Sequence, residues 1–354
     1  MGKIIENKWI LSSCLQKSIR KGFCQLALQY FHELWDYDSH YAIHILSLVG
    51  IEDIGIANID LLNDFLNEII DIKINTTQKI NQEKMIFFVE KFCNSVKDRS
   101  IYDLNLLSVL SENQNIEDLE KNYIDIFLNH QETIVNRFLA GWKILESTKI
   151  KNPLIAQQEK EKNFESFLHL YEKILPNQNM IELMRKIYTI YESPYGIGLG
   201  LLFYLYQEES KNQEKVGKYQ VGDFVQNEYS IRLIQNKWLI DGIDWHTKEG
   251  KLAIAEFCKE NINLKKLNFS EDILQQLVGL LFFRCIGQQL DKRLVYPSAV
   301  VIMKMAEQKA INKLILSDQY AFSDLMIMFK KDLHILYEKI EKKMNIPDPE
   351  LFPF

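Results

Sequence analysis

Apolar side chains recur every three to four residues along most of this chain, and that spacing limits what it can fold into. The clearest stripes are Leu26, Tyr30, Phe31, Leu34 and Trp35, followed by Tyr41, Ile45, Leu48 and Val49. Residues spaced in this way share one face of a helix, which they bury. Segments with strand-like alternation are scarce, so the sequence predicts an all-α protein.

The helical pattern continues beyond these two stripes. Further helices are predicted at 61–73, 81–95, 102–111, 117–145, 158–174, 180–192, 198–208, 248–260, 271–289, 299–313 and 318–344. The fold expected is a multi-helix array, either solenoid-like or collar-like. It forms one large domain or two helical subdomains.

A polar tract suggests where the two parts would join. Residues 209–220 read ESKNQEKVGKYQ and contain few large aliphatic side chains. Such a segment is typical of a linker or a long surface loop. The predicted organisation is a helical block at 1–208, a loop or linker at 209–222 and a second helical block at 223–354.

Composition and charge restrict the class of protein. The 354 residues carry a net charge of -6, which argues against a protein that coats nucleic acid over its whole surface but leaves a local basic cleft open. Lysines and an arginine precede any long apolar run at the N-terminus, so no signal peptide or spanning helix is predicted. The five cysteines lack CxxC spacing, as in reduced thiols. We expect a cytoplasmic protein with no membrane partner.

Neither a nucleotide nor a metal cofactor is predicted. The chain has no GxxxxGK[ST] phosphate loop, and the glycine-rich run 196–200 is interpreted as a turn that enters an apolar helix. His40 and His44 have the i,i+4 spacing of metal ligands, but no third ligand is in view.

Three short motifs near the N-terminus carry the most specific signal. They read Gln16-Lys17-Ser18-Ile19-Arg20, Ala27-Leu28-Gln29-Tyr30 and Ile51-Glu52-Asp53-Ile54-Gly55-Ile56-Ala57. Over about residues 12–60, this stretch resembles the C-terminal helical region of the RarA/MgsA family of replication-associated AAA+ ATPases. The likeness extends to about residue 110 if Lys97-Asp98-Arg99-Ser100 stands where that family has a Pro-Lys-Ser-like turn.

The resemblance implies a role beside DNA but without ATP hydrolysis. That family works at stalled replication forks, and its ATPase core precedes the region matched here. What is implied for this chain is a helical module that operates beside DNA and replication proteins.

Charged residues in the motifs are the first candidate site. Lys17 and Arg20 lie about thirty residues before Asp53, and two antiparallel helices would bring them together. In one interpretation the basic groups bind DNA and Asp53 is a catalytic carboxylate. In the other, Arg20 forms a partly buried ion pair with Glu52 or Asp53 that fixes the register of the helices.

The turn before residue 101 is a second candidate. Lys97 and Arg99 could contact phosphate oxygens, while Asp98 or Ser100 caps the next helix. The alternative is that these basic side chains are merely solvated.

The segment 241–251, DGIDWHTKEGK, has the densest mixture of functional groups in the chain. Thr247 is predicted to cap a helix that begins at Lys248, which leaves amide donors for a phosphate or developing anion. Asp244 or His246 could activate water, and Trp245 could hold an extruded base. Lys248 and Lys251 complete the predicted DNA contacts. The structural alternative is an Asx-type turn and a cap, with Trp245 packed inward.

Two functions are predicted from these sites. The first is a DNA N-glycosylase-like hydrolase that needs neither ATP nor metal. The second is a noncatalytic DNA- or replisome-binding module derived from a replication-associated ATPase. In either case the motif residues and the segment 241–251 are expected to face one DNA-binding cleft.

Overall fold

A computed structural model describes residues 8–74, 81–111, 123–146, 153–191, 194–212, 247–287, 290–291, 296–317 and 319–344. Most of these residues are helical, and the described part of the chain contains no strand. The prediction of an all-α, multi-helix array is therefore confirmed.

Eleven helices precede residue 213 in the described part of the chain. They are α1 (Lys8–Arg20), α2 (Cys24–Tyr37), α3 (Ser39–Val49), α4 (Ile59–Ile74), α5 (Gln82–Asn94), α6 (Ser100–Ser111), α7 (Tyr123–Leu128), α8 (Ile134–Glu146), α9 (Pro153–Ile174), α10 (Gln178–Tyr191) and α11 (Tyr195–Asn212). A π-type turn, Gly50–Ile54, and a 3₁₀ turn, Gly55–Asn58, connect α3 to α4.

Six more helices follow residue 246 among the residues that the structure describes. They are α12 (Lys248–Glu260), α13 (Ile262–Lys265), α14 (Glu271–Phe282), α15 (Pro297–Ile315), α16 (Phe322–Lys331) and α17 (Leu333–Met344). A second π-type turn, Phe283–Gly287, continues α14.

Two predicted helices are each divided in two. The predicted helix 117–145 is interrupted at residues 129–133, where Asn129 accepts a hydrogen bond from the Gln131 amide at 3.0 Å and Thr133 caps α8. The predicted helix 318–344 breaks at Asp332, whose carboxylate accepts a hydrogen bond from Asn261 at 2.9 Å. At residues 129–133 polar side chains accept from backbone amides that would otherwise bond within a helix, whereas Asp332 contacts the side chain of Asn261, between α12 and α13.

The two predicted blocks pack against each other. Helix α6 contacts α8 and α11 of the first block and α15 of the second. The buried apolar side chains of both blocks belong to one continuous core. Helix α11 extends to Asn212, so residues 209–212 of the predicted loop are helical. The rest of that loop lies outside the described residues.

The glycine-rich run lies inside α11 rather than in a turn before it. A Cβ at Gly198 would stand 2.3 Å from Ile101 and 2.9 Å from Phe138. Glycine is therefore needed because α6 and α8 approach the backbone of α11 closely. In the described residues, no helix is both long and apolar enough to cross a bilayer.

Candidate functional site

The first and third N-terminal motifs meet at one buried carboxylate, which a residue of the turn before α6 also contacts. Asp53 is fully buried in the π-type turn after α3, and its Oδ2 accepts a hydrogen bond from Arg20 Nε at 2.8 Å. Its Oδ1 accepts a second from Arg99 Nη1. We call these residues, with the charged side chains around them described below, the buried ion cluster.

The local backbone brings these side chains to one place. Helix α1 ends in a turn in which Gly22 has a φ of 70° and Phe23 N–H donates to Ser18 C=O at 2.9 Å, as in a glycine-terminated helix. The Asp98 amide donates to the Asp53 carbonyl at 2.8 Å, which holds the segment before α6 against the π-type turn. Arg20, at the end of α1, and Arg99, before α6, therefore each reach one oxygen of Asp53.

Lys97 links the cluster to the second block of the chain. Its buried ammonium donates to the carbonyls of Cys93 and Ser95, each at 2.9 Å, and to Asp291 Oδ1 at 2.7 Å. These three acceptors use all three N–H groups of the ammonium. The Asp291 amide also donates to the Arg20 carbonyl at 3.0 Å.

Gly22 makes room for this contact. A Cβ at Gly22 would lie 2.2 Å from Asp291 Oδ2, and the positive φ of Gly22 is itself unfavourable for other residues. Two constraints therefore require glycine at this position.

Two arginines, Arg99 and Arg284, lie against the ring of Tyr102. The Arg99 guanidinium lies 4.5 Å from the centre of the Tyr102 ring, and Arg284 lies 5.9 Å from it. Arg284 Nη1 donates to Asp103 at 2.6 Å, again joining the two blocks. The Nε and Nη2 atoms of Arg99 are buried without a hydrogen-bond acceptor among the described residues. Stacking on Tyr102 partly compensates for this desolvation.

The electrostatics differ between the two arginines that share Asp53. Burial and the nearby charge of Arg99 lower the pKa of Arg20. Burial also disfavours the charge on Arg99, but Asp53 and Glu52 outweigh that effect and raise the pKa of Arg99. Glu52 accepts a hydrogen bond from Tyr195 at 2.6 Å, and burial raises the pKa of Glu52.

The charge on Lys21 is disfavoured in the cluster. Its side chain is buried beside Lys17 and Arg20. Burial first, and then repulsion from Lys17, lowers the pKa of Lys21 to about 7. A substantial fraction of Lys21 is therefore neutral near physiological pH.

The structure corrects the predicted DNA-binding role of the motif residues. Lys17, Arg20, Lys97 and Arg99 are all at most 3% exposed, so in this conformation none of them presents its charge to a phosphate. Both oxygens of Asp53 are held by guanidinium groups, which leaves Asp53 a counter-ion rather than a catalytic base. The predicted alternative, a buried ion pair between Arg20 and Asp53, is what the structure contains.

The second candidate turn is described in full, whereas the segment 241–251 is described only from Thr247 onwards. Asp98 accepts a hydrogen bond from the Ser100 amide at 2.7 Å and so caps α6, as predicted. Thr247 accepts one from the Gly250 amide at 3.0 Å and caps α12, also as predicted. Lys248 and Lys251 are exposed. Asp244, Trp245 and His246 lie outside the described residues.

These two regions are carried by different helices. The motif residues meet where α1, the π-type turn and α6 come together, whereas Lys248 and Lys251 lie on α12, whose main packing partners are α14 and α17. Residues 241–246 lie outside the described residues. A cleft that they share with the motif residues therefore stays a prediction.

Some residues of the cluster were not predicted from sequence. Lys21, Tyr102, Asp103, Tyr195 and Arg284 are the ones that the motifs did not single out for this role. Arg284 carried a usable signal, because an arginine within the apolar run LLFFRCIG must be buried with an acidic partner.

No group of three or more metal-ligating side chains occurs in the part of the chain that the structure describes. In comparison with known proteins, no family model matches this chain, and neither curated proteins nor solved structures give a match.

Proposed function

We propose that this chain is a noncatalytic helical module that associates with DNA and replication proteins, as its resemblance to the RarA/MgsA helical region implies. One observation carries the proposal. The motif residues Arg20, Asp53 and Arg99 contact one another in the interior. Residues that pair in this way fix the positions of helices, so the motifs are explained by a scaffold and need no reaction.

The surface proposed to contact DNA is the start of α12. The Thr247 cap orients the first turn of this helix, and Lys248 and Lys251 are exposed there. Exposed lysines can neutralise phosphates, and the amino end of a helix favours anions. The buried basic residues cannot serve in this way without an opening of the core.

The DNA N-glycosylase-like hydrolase is the second candidate. It is favoured by the Thr247 cap, which forms as predicted directly after Asp244, Trp245 and His246. In that mechanism Asp244 would stabilise an oxocarbenium-like sugar and orient water, and Trp245 would hold the extruded base.

Binding and base release on the same substrates separate the two candidates. The purified full chain is titrated into a labelled forked duplex and a linear duplex of equal length, without ATP, and the anisotropy is measured. The same mixtures are then treated with alkali and examined for strand breaks at abasic sites.

The proposed module binds the fork and leaves both duplexes intact. Breaks that disappear in Asp244→Asn would contradict it and favour the hydrolase. Absence of binding to either duplex would contradict the DNA association itself.

A further inference from the structure

A cavity of about 730 Å³ opens between α4 and α5, on the outside of the core. The two helices are antiparallel. Asn58, at the start of α4, donates to Ser95 after the end of α5 at 3.1 Å. Farther along α4, Glu68 accepts from Lys84 near the start of α5 at 2.7 Å. These two contacts close the ends and leave a groove between them.

Phe88 lines this groove and packs against two fully buried phenylalanines behind it. The ring of Phe65 on α4 lies 5.1 Å from that of Phe88 and 5.2 Å from that of Phe92, centre to centre. These contacts fix the separation of α4 and α5. The groove is therefore present in the fold before any partner binds.

Amide and carboxylate groups line its sides. Asn58, Asn67 and Asn94 contribute to the walls. Asn67 and Asp64 are exposed, and neither makes a hydrogen bond or ion pair to another described residue. A side-chain amide offers one acceptor and two donors, which is the pattern needed to pair with a peptide group.

An aromatic surface stands at the far end. Phe87 is 49% exposed, and the Lys91 ammonium lies 5.1 Å from the centre of its ring. A large exposed ring beside polar groups is a surface on which an aliphatic stem or another ring can pack.

Charge distinguishes between the occupants that such a groove could take. Glu68 is neutralised by Lys84, whereas Asp64 has no cationic partner in the described part of the chain. A nucleic-acid strand would bring its phosphates towards both carboxylates, with only Lys91 available to neutralise them. A peptide with a basic side chain would instead satisfy Asp64.

We propose that the α4/α5 groove binds an extended segment of a partner protein, with a lysine or arginine of that segment at Asp64. Glu68 is seven positions after Leu61, which corresponds to about 10 Å along the helix. An extended peptide covers that length with about three residues. Asn67 would pair with the peptide backbone, and Phe87 would contact an adjacent side chain. This inference does not depend on DNA association.

The probe is a random library of dodecapeptides displayed on phage, selected against the immobilised full chain and against a bare surface. A synthetic consensus peptide is then measured by fluorescence anisotropy. We expect enrichment of sequences with a lysine or arginine, and a loss of affinity of about fivefold or more in Asp64→Asn and in Asn67→Ala. Asp324→Asn, an exposed carboxylate on α16, is the matched control and should leave affinity unchanged.

The experiment has three contradicting outcomes. One is no enrichment over the bare surface. Another is a consensus peptide that binds Asp64→Asn and Asn67→Ala with the same affinity as the native chain. The third is binding of single-stranded dT12 that Asn67→Ala weakens, which would make the groove a nucleic-acid site. Circular dichroism of each variant checks that it is as helical as the native chain, so that the affinities compared are those of folded proteins. None of these outcomes bears on forked-duplex binding, so this inference and the proposed function fail separately.

Discussion

Lys97 and Asp291, which are 194 residues apart in sequence, are joined by a hydrogen bond of 2.7 Å between the Lys97 ammonium and Asp291 Oδ1. The lysine side chain is fully buried and the aspartate side chain is 18% exposed. Together with the pair between Arg284 and Asp103, this contact ties the second block of helices to the motifs of the first. The charged turns are therefore part of the core and not of an open cleft.

Removal of the Asp291 charge should destabilise the whole chain. In Asp291→Asn the Lys97 ammonium keeps two carbonyl acceptors but loses its counter-ion, so we expect a loss of about 2–4 kcal/mol in the free energy of unfolding. Urea denaturation of the native chain and of Asp291→Asn measures this loss. Lys211→Met removes an exposed pair with Glu208 and should change stability little, because solvent screens that pair. Equal effects of the two substitutions would show that the buried contact contributes no more to the free energy of unfolding than the exposed pair.

Asp53→Asn should be the most destabilising single substitution in the buried ion cluster. It leaves the guanidinium groups of Arg20 and Arg99 buried beside a neutral amide, and we expect a cost of about 3–5 kcal/mol. Glu165→Gln is the control, because Glu165 pairs with Arg185 at the surface.

A double-mutant cycle tests the pairing itself. Arg20→Met should cost less in the Asp53→Asn background than in the native chain, because its partner has already gone. Additive effects would argue against a direct interaction in solution.

Stability should depend on pH through Lys21. Its folded-state pKa is lowered to about 7, whereas the unfolded side chain titrates near 10.5. Between these values the unfolded state binds a proton that the folded state does not, so the free energy of unfolding should rise with pH, by up to about 1.4 kcal/mol per pH unit. Below about pH 7 both states are protonated and the Lys21 contribution is constant.

The comparison that isolates this effect is Lys21→Met against the native chain at about pH 6.5, 7.5 and 8.5. The difference in stability between the two proteins should shrink as pH rises, because the penalty for burying the charged ammonium disappears. A difference that is constant over this range would show that Lys21 stays charged in the folded state or titrates elsewhere.

DNA binding should depend on the exposed lysines of α12 and not on the buried arginines. The double variant Lys248→Ala with Lys251→Ala should reduce the slope of log affinity against log salt by about two contacts. Lys304 is an exposed lysine on α15, and Lys304→Ala should leave this slope unchanged. Arg99→Ala should lower stability without changing the slope. A slope reduced by about one in folded Arg99→Ala would mean that the cluster opens to DNA.

Sequence alone predicted the helices well because their signal is local. The stripe that ends at Trp35 is buried along one face of α2, with Tyr30, Phe31 and Leu34 inside the core. The breaks at residues 129–133 and at Asp332 were missed, since each depends on a single polar side chain and its hydrogen bonds. Periodicity over a longer window averages such interruptions away.

The location of the charged residues was harder to predict. Lys17, Arg20, Lys97 and Arg99 have the appearance of solvated helix ends, because nothing within a few residues of them indicates a partner. Their partners are distant in sequence, as Asp53 is from Arg99 by 46 residues. Only the tertiary fold decides that these charges are neutralised inside the protein.

The sharing of one carboxylate by two arginines has a consequence for how such a chain changes over generations. Replacement of Arg20, Asp53 or Arg99 alone leaves an unmatched charge in the core, so tolerated changes must come in combination. Exposed positions face no such condition and can drift singly. We therefore expect Arg20, Asp53 and Arg99 to be kept together, or to change together, among chains that share this fold.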